Sequence, residues 1–468
     1  MFATSAAANL RAALTLLEGL RVCGLRRLVL CPGSRSAPLA VAAGMLATRG
    51  LDLFTAVDER SAAFLALGLG RGDGLPAAVV TTSGTAVANL LPAVVEADSG
   101  ALPLLLLTAD RPARLKGRGA NQTVNQESFL APCCRLMAAG DPLGLAAMEP
   151  AALRALAMSA WQACLGAPCG PVHLNLPFEE PLHADASALE AGFRFLEGFS
   201  TDLVPSAAEP THPGFVAESP LDPDQPGVVV AGPWRGTAAA LAPLAEALLC
   251  WQRRTGWPVL ADALSGLRGW PELQLIHSYD LLLAEGHGLP PAPQLLRLGP
   301  MPASRRLQQW IASCTGPQLL IAEHDPRNLD AGIATTTRCP HGLQAWVTAR
   351  LEPQSDVMPR AASQALCRRW LDADAACQRA LDADLAASPL NELALARLLS
   401  RALPAGLPVM LASSSPVRDW ESFAAADAPH RPLFGFRGAS GIDGTLSLGA
   451  GLACSAGALV LLTGDLAL

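Results

Sequence analysis

The chain has almost no lysine: of its 34 basic residues one, Lys116, is lysine and the other 33 are arginine. So uniform a preference reads as coding bias, which means that the number of arginines supports no functional claim and each must be judged by its position. Long runs of one charge sign are also lacking. With 41 acidic residues against 34 basic ones the formal charge is −7, which argues against a surface for nucleic acid or anionic membrane. The twelve cysteines contain no C-x-x-C pair; Cys133 and Cys134 are adjacent, and Cys164 and Cys169 lie five apart. Zinc sites and a disulfide framework are therefore not expected, and a reducing cytoplasm is. Apolar runs are broken by glycine, proline or charge well before the roughly 20 residues a membrane span needs. The N-terminus lacks a basic start, a continuous apolar core and a cleavage site. Leu10, Ala13, Leu14, Leu17 and Leu20 instead share one helical face, so this is an amphipathic helix of a soluble fold.

What is present, over 468 residues, is enough for about three domains at roughly 150 residues each. The organising stretch is 28–60. Leu28-Val29-Leu30 reads as a strand, and Pro32-Gly33-Ser34-Arg35-Ser36 as the loop into a helix, a place where unpaired amides and the Arg35 fork suit an anion. A second strand over 51–57 leaves Asp58-Glu59-Arg60 at its carboxyl end, where open α/β sheets place ligands. Strands over 77–82 and 104–107 follow, ending in Ser83-Gly84-Thr85, which opens a helix over 86–96, and in Thr108 to Pro112. A last strand carries His173, read as a satisfied core histidine because a lone histidine rarely titrates usefully without a partner. Six prolines between 204 and 226 mark a linker. Beyond it, strands over 227–231, 258–262 and 318–322 alternate with helices over 237–254 and 304–313, implying a second parallel sheet. Its turns hold no trusted constellation, and Glu323-His324-Asp325 reads as a solvated strand end. A charged helical linker over 353–385 leads to a helix over 392–403, a strand over 408–412, the turn Ser413 to Asp419, and a strand over 458–462 that ends in Thr463-Gly464-Asp465. The run Gly68, Gly70, Gly72, Gly74 fails the dinucleotide fingerprint, because its spacing breaks at Asp73 and it follows a helix.

Six ordered motifs carry a resemblance: PGSRS (32–36), DER (58–60), TTSGTAVANLLPAVVEA (81–97), LLTADRP (106–112), GANQ (119–122) and RGASGIDG (437–444). Together they resemble the 2-succinyl-5-enolpyruvyl-6-hydroxy-3-cyclohexene-1-carboxylate synthase family of thiamine-diphosphate enzymes, which act in menaquinone and phylloquinone biosynthesis. The likeness is close over 28–130, patchy to 182, weak through the middle and close again over 411–465.

The resemblance implies an α/β fold of three doubly wound parallel-sheet domains, the third incomplete. These are a pyrimidine-binding domain over 1–185, a linker over 186–226, a chiefly structural central domain over 227–352, a helical linker over 353–390, and the start of a diphosphate-binding domain over 391–468. It further implies thiamine diphosphate with Mg²⁺ or Mn²⁺, isochorismate and 2-oxoglutarate as substrates, and a homodimer or dimer of dimers. Glu59 would act on N1′ of the aminopyrimidine, its pKa raised by apolar surroundings at Val57, Ala62, Ala63 and Phe64; the alternative is a helix cap or a partner of Arg60. Ser83, Gly84, Thr85, Gly464 and Asp465 would hold the cofactor, Asp465 through the metal. Ser34, Arg35, Arg111, Asn121, Gln122, Ser414, Arg418 and Arg437 would meet the substrates, whose carboxylates suit bidentate arginine. The family's second metal motif, an asparagine some two dozen residues after Gly-Asp, does not appear before Leu468, so the chain reads as part of a longer enzyme. Another thiamine-diphosphate decarboxylase or carboligase, and a non-catalytic protein that kept the fold, are the alternatives.

Overall fold

Runs such as Ala77-Ala78-Val79-Val80 and Leu104 to Leu107 offer water no polar face, so they can only be strands covered on both sides, as in parallel sheets under helices. The structure is a computed structural model that describes residues 6–199, 219–284, 289, 291–323, 325–327, 329–330, 336–339, 341–351 and 358–468. In it these runs lie inside a six-stranded parallel sheet built from β1 (Arg27–Leu30), β2 (Asp52–Thr55), β3 (Ala77–Thr81), β4 (Leu104–Asp110), β5 (Leu136–Ala139) and β6 (Pro171–Pro177), in the order β2-β1-β3-β4-β6-β5. Every residue of β3, β4 and β6 is buried, whereas the edge strand β5 alternates between half-buried and exposed. β5 is only Leu-Met-Ala-Ala, and with no β-branched or aromatic residue so short an apolar stretch does not stand out as a strand.

The helix Ala6–Cys23 forms on the expected face, burying Leu10, Ala13, Leu14, Leu17 and Leu20 against the helices Ala37–Ala47 and Pro150–Leu165. The single helix expected over 86–96 is two, Thr85–Ala88 and Leu91–Gly100. Pro92 cannot donate its amide and its ring would strike the carbonyl of residue 88, so the helix breaks and restarts with proline in its first turn.

By packing, the chain forms two units: Met1–Pro210 with Phe436–Gly457 and Ala467, and Thr211–Gly435 with Ala458–Leu466 and Leu468. The 391–468 stretch is thus divided, its loop and helix over 436–457 joining the N-terminal unit.

The second unit holds two parallel sheets. One comprises β7 (Val228–Ala231), β8 (Val259–Ala261), β9 (Leu275–Ile276), β10 (Leu295–Leu298), β11 (Gln318–Ile321) and β12 (Thr336–Cys339), in the order β12-β11-β10-β7-β8-β9. The other comprises β13 (Val409–Leu411), β14 (Leu433–Phe434) and β15 (Val460–Leu462), in the order β14-β13-β15. The larger sheet changes direction between β7 and β10, where such sheets take ligands. Its own loops fill that crevice. A Cβ on Gly232 would run into the Pro300 carbonyl, and the Asp262 carboxylate accepts from the Ala303 amide at 3.1 Å. The helix Ala361–Ala387, expected as a charged linker, is partly core: it buries Cys367, Trp370 and Asp374, with Trp370 edge-on to Trp310 at 5.7 Å. Residues 204–218 and 353–357 of the two expected linkers, and His324, lie outside the described residues. Among the described residues, no helix is long and apolar enough to cross a membrane.

Candidate active site

In the N-terminal sheet the direction of winding changes at β1 and β3, so the carboxyl ends of these strands open a crevice. Arg35, in the turn after β1, is buried; its Nη1 donates to the Phe178 carbonyl at 2.9 Å and its Nη2 to Glu180 at 3.1 Å. Its Nε is buried without a hydrogen-bond partner in the protein. Arg111, directly after β4, is also buried. It donates to Ser83 Oγ, to the Gln122 carbonyl at 3.1 Å and to Gln122 Oε1 at 3.2 Å. Burial, and then the neighbouring Arg35 guanidinium, pull Arg111 below the ordinary arginine value. Two guanidiniums this close, one with an unused donor, favour an anion between or beside them, because a carboxylate would relieve both the repulsion and the unmet hydrogen bond.

The structure therefore brings Arg35, Ser83, Arg111 and Gln122 together. Ser34, Thr85 and Asn121 are exposed nearby in sequence, with Asn121 offering its carbonyl to Thr123. Beneath this group lies a polar network that sequence reasoning missed. Gly84, at φ 85°, donates its amide to Gln126 Oε1 at 3.0 Å. The Gln126 amide donates in turn to the Ala109 carbonyl and to Asn175 Oδ1, and Asn175 donates to the fully buried Asp110 at 2.9 Å. Asp110 also accepts from the Arg111 amide and pairs with Lys116 at 2.7 Å. Lys116 further pairs with Glu127. His173 is buried, with Nε2 2.7 Å from Thr108 Oγ1. Position on a buried strand is the only sequence signal Asn175 and His173 gave; Gln126, on a loop, gave none.

Glu59 opens the helix Glu59–Asp73 at the carboxyl end of β2, beside β1. The cap is its neighbour: the Asp58 side chain accepts from the Ser61 amide at 2.8 Å. Glu59 is thus free of the capping role. Glu59 is half-buried; of the apolar neighbours expected around it, Ala62, Ala63 and Phe64 are buried and Val57 is 87 % exposed. The field of Glu59 reaches Cys31, directly after β1, whose thiol is pushed up to about 12 by burial and then by Glu59 and Asp58.

The packing of the helix Glu59–Asp73 accounts for two glycines of the run, and Gly74, at φ 77°, ends the helix. Gly68 and Gly72 face the helix Thr445–Ala456, and a Cβ on Gly68 would run into the Leu448 carbonyl while one on Gly451 would meet the backbone of Leu65 and Leu69. Small residues on both helices let the backbones approach closely. Arg437 is half-buried at the start of the loop that feeds this second helix.

In the second unit, β13 and β15 pair side by side and in parallel. Ser414, at φ 76°, precedes the helix Ser415–Phe423 after β13, and Arg418 lies exposed on that helix. Gly464 and Asp465 follow β15; Asp465 is exposed and its Oδ1 accepts from the Leu466 amide at 2.9 Å. No group of three or more His, Cys, Asp or Glu side chains able to hold a metal occurs among the described residues. One open carboxylate does not make a protein cage. It does fit a hard cation that keeps waters and takes phosphate oxygens.

Parallel α/β sheets of this kind, with the family profiles they match, define the chain as a thiamine-pyrophosphate enzyme. Residues 10–129 match the family profile "Thiamine pyrophosphate enzyme, N-terminal TPP binding domain", and residues 223–408 match "Middle domain of thiamine pyrophosphate". The chain is 57 % identical to 2-succinyl-5-enolpyruvyl-6-hydroxy-3-cyclohexene-1-carboxylate synthase of Synechococcus sp. (strain RCC307) over 465 residues, which is 99 % of this chain and 79 % of that protein. It is 52 % identical to the synthases of Synechococcus sp. (strain CC9311) and Parasynechococcus marenigrum (strain WH8102), over 97 % and 95 % of the chain and 80 % and 79 % of theirs. The chain belongs to the 2-succinyl-5-enolpyruvyl-6-hydroxy-3-cyclohexene-1-carboxylate synthase family.

Proposed function

We propose that the protein takes 2-oxoglutarate and isochorismate, releases carbon dioxide from the first, and joins the remaining fragment to the second by conjugate addition. The product is the one its relatives are named for, a step toward menaquinone or phylloquinone. The observation that carries the substrate class is the Arg35 and Arg111 pair, because each substrate brings two carboxylates and the crevice offers buried guanidiniums with a spare donor.

Thiamine diphosphate, when bound, supplies the electron sink that lets a 2-oxoacid lose carbon dioxide and then act as a nucleophile. Glu59 is assigned to hold and return the proton at N1′ of its aminopyrimidine, a task that Asp58 leaves it free to do by taking the cap. Ser83, Gly84 and Thr85 are assigned to the cofactor as well, Gly84 held in place by Gln126. Gly464 and Asp465 are assigned to the diphosphate and its Mg²⁺ or Mn²⁺. Ser34, Arg35, Arg111, Asn121, Gln122, Ser414, Arg418 and Arg437 are assigned to the substrates, with charge-assisted hydrogen bonds orienting the carboxylates. The proposed divisions are 1–185, 227–352 and 391–468 with linkers between them. A homodimer or dimer of dimers and a cytoplasmic setting belong to the same reading, the latter supported by cysteines that form no disulfide among the described residues.

The test supplies both substrates with thiamine diphosphate and Mg²⁺ and follows isochorismate. Consumption of both substrates together is expected. Release of carbon dioxide from 2-oxoglutarate with isochorismate untouched would point to a different 2-oxoacid enzyme.

A further inference from the structure

Glu96 is the last charged residue of the motif TTSGTAVANLLPAVVEA, and none of the roles assigned above uses it. It lies in the helix Leu91–Gly100 and is buried. Its carboxylate accepts from three consecutive backbone amides some 340 residues away in sequence: Gly438 at 2.7 Å on one oxygen, Ala439 at 2.7 Å and Ser440 at 3.0 Å on the other. Both partners belong to the same packed unit. Consecutive amides that point at one spot form a concavity for an anion, and here the protein fills it with its own carboxylate. The concavity leaves little choice of residue, because Ser440 is held at φ 61° and a Cβ on Gly438 would come within 2.6 Å of the Glu96 carbonyl. The loop is fixed at its far end too, where Gly444 caps the helix Thr445–Ala456. Arg437 is therefore the residue that leaves a clamped segment.

We infer that Glu96 is a positioning residue for substrate binding: by gripping the amides of 438–440 it sets where the Arg437 guanidinium sits, and so how well the enzyme holds a substrate carboxylate. The inference rests on the assignment of Arg437 to the substrates. A carboxylate is needed for this, and its isosteric amide will not serve. Glutamine keeps the shape of Glu96 but turns an NH₂ toward amide donors, so at least one of the three loses its acceptor.

The experiment compares Glu96→Gln, Glu96→Asp, Arg437→Ala and the Glu96→Gln, Arg437→Ala double variant in the enzyme, with thermal midpoints to verify folding. KM and kcat are measured for both substrates, and hydrogen exchange is followed at amides 438–440. For Glu96→Gln we expect exchange at these amides to rise about tenfold or more. KM for the substrate that Arg437 engages should rise about tenfold, with kcat within about twofold, on the scale of one charge-assisted contact loosened. Glu96→Asp, which keeps the charge, should recover part of that loss, and the double variant should be no worse than Arg437→Ala alone. Faster exchange with KM unchanged in Glu96→Gln, while Arg437→Ala still raises KM, overturns the inference and leaves Glu96 a packing residue. An unchanged KM in Arg437→Ala overturns the assignment of Arg437, and the inference falls with it.

Discussion

His173 is held by Thr108 inside a sheet that has no room for a charged imidazolium, and burial lowers its pKa to about 4 from the usual 6.5, with Asp110 opposing the shift. The sign follows from which state binds the proton. Above pH 6.5 the ring is neutral folded and unfolded, and it contributes no pH dependence. As the pH falls from 6.5 to 4 the unfolded chain takes up a proton that the folded one refuses, so stability is lost across that window, up to about 3 kcal/mol at 1.36 kcal/mol per pH unit. Urea midpoints of His173→Gln at pH 7 and pH 4.5 should differ less than those of the wild type. An equal fall in both would clear His173 of the effect. Lys116 makes the opposite case. Burial lowers its pKa, but hydrogen bonds to Asp110 and Glu127 leave it above the ordinary lysine value. Asp110 is fully buried while Lys116 is 28 % exposed, so Lys116→Met should cost less than the 3–5 kcal/mol of a fully buried pair, about 1–3 kcal/mol. Lys116→Arg should cost less than Lys116→Met, because it keeps the charge although a planar fork replaces a point donor. Denaturant titration of the three proteins tests the order.

At the scale of elements, the packing of the helices Glu59–Asp73 and Thr445–Ala456 rests on absent side chains. Gly68→Ala must push against the Leu448 carbonyl, which is backbone and cannot swing aside, and should destabilise by about 1–3 kcal/mol. Gly44→Ala, in the helix Ala37–Ala47 with nothing within 4 Å of the new methyl, should be neutral or stabilising by up to about 1 kcal/mol. Thermal midpoints of the two variants should move in opposite directions or by clearly unequal amounts. The contrast also marks what a sequence can disclose. Strands β1, β3, β4 and β7 are legible because each carries an apolar run of three or more residues, and the turns after them are legible because charge and glycine interrupt the pattern. β5 and β12 are not, being a short stretch of leucine, methionine and alanine with no β-branched or aromatic residue, and a stretch of threonine, arginine and cysteine whose pairing is decided by the neighbouring strand. Arg35, Ser83, Arg111 and Gln122 could be named as candidates from their turns. Their convergence depends on Gln126 and Asp110, whose partners are set by the order of strands. Within the run Gly68 to Gly74, the helix that needs Gly68 and Gly72 begins at residue 445, too far along the chain for local spacing to reveal it.

For the whole molecule, the discontinuity of the N-terminal unit makes a further prediction. A polypeptide of residues 1–210 contains its six-stranded sheet but lacks 436–457, leaving the glycine face of the helix Glu59–Asp73 and the Glu96 carboxylate without their partners. Such a polypeptide should bind a hydrophobic dye and melt below the same polypeptide with 436–457 joined through a flexible linker. Equal melting of the two would mean that the returning helix adds nothing to the unit it packs on.

The same discontinuity sets a clock on synthesis. By the time residue 210 leaves the ribosome the sheet β1 to β6 is complete, yet the helix that covers the Glu59–Asp73 face is encoded about 250 residues later, a delay of roughly 12–50 s at 5–20 residues per second. Throughout that interval the nascent chain carries an open groove along the helix that Glu59 begins. A chaperone that holds apolar surface on emerging chains would find its opening there, and would have to let go when residue 457 arrives.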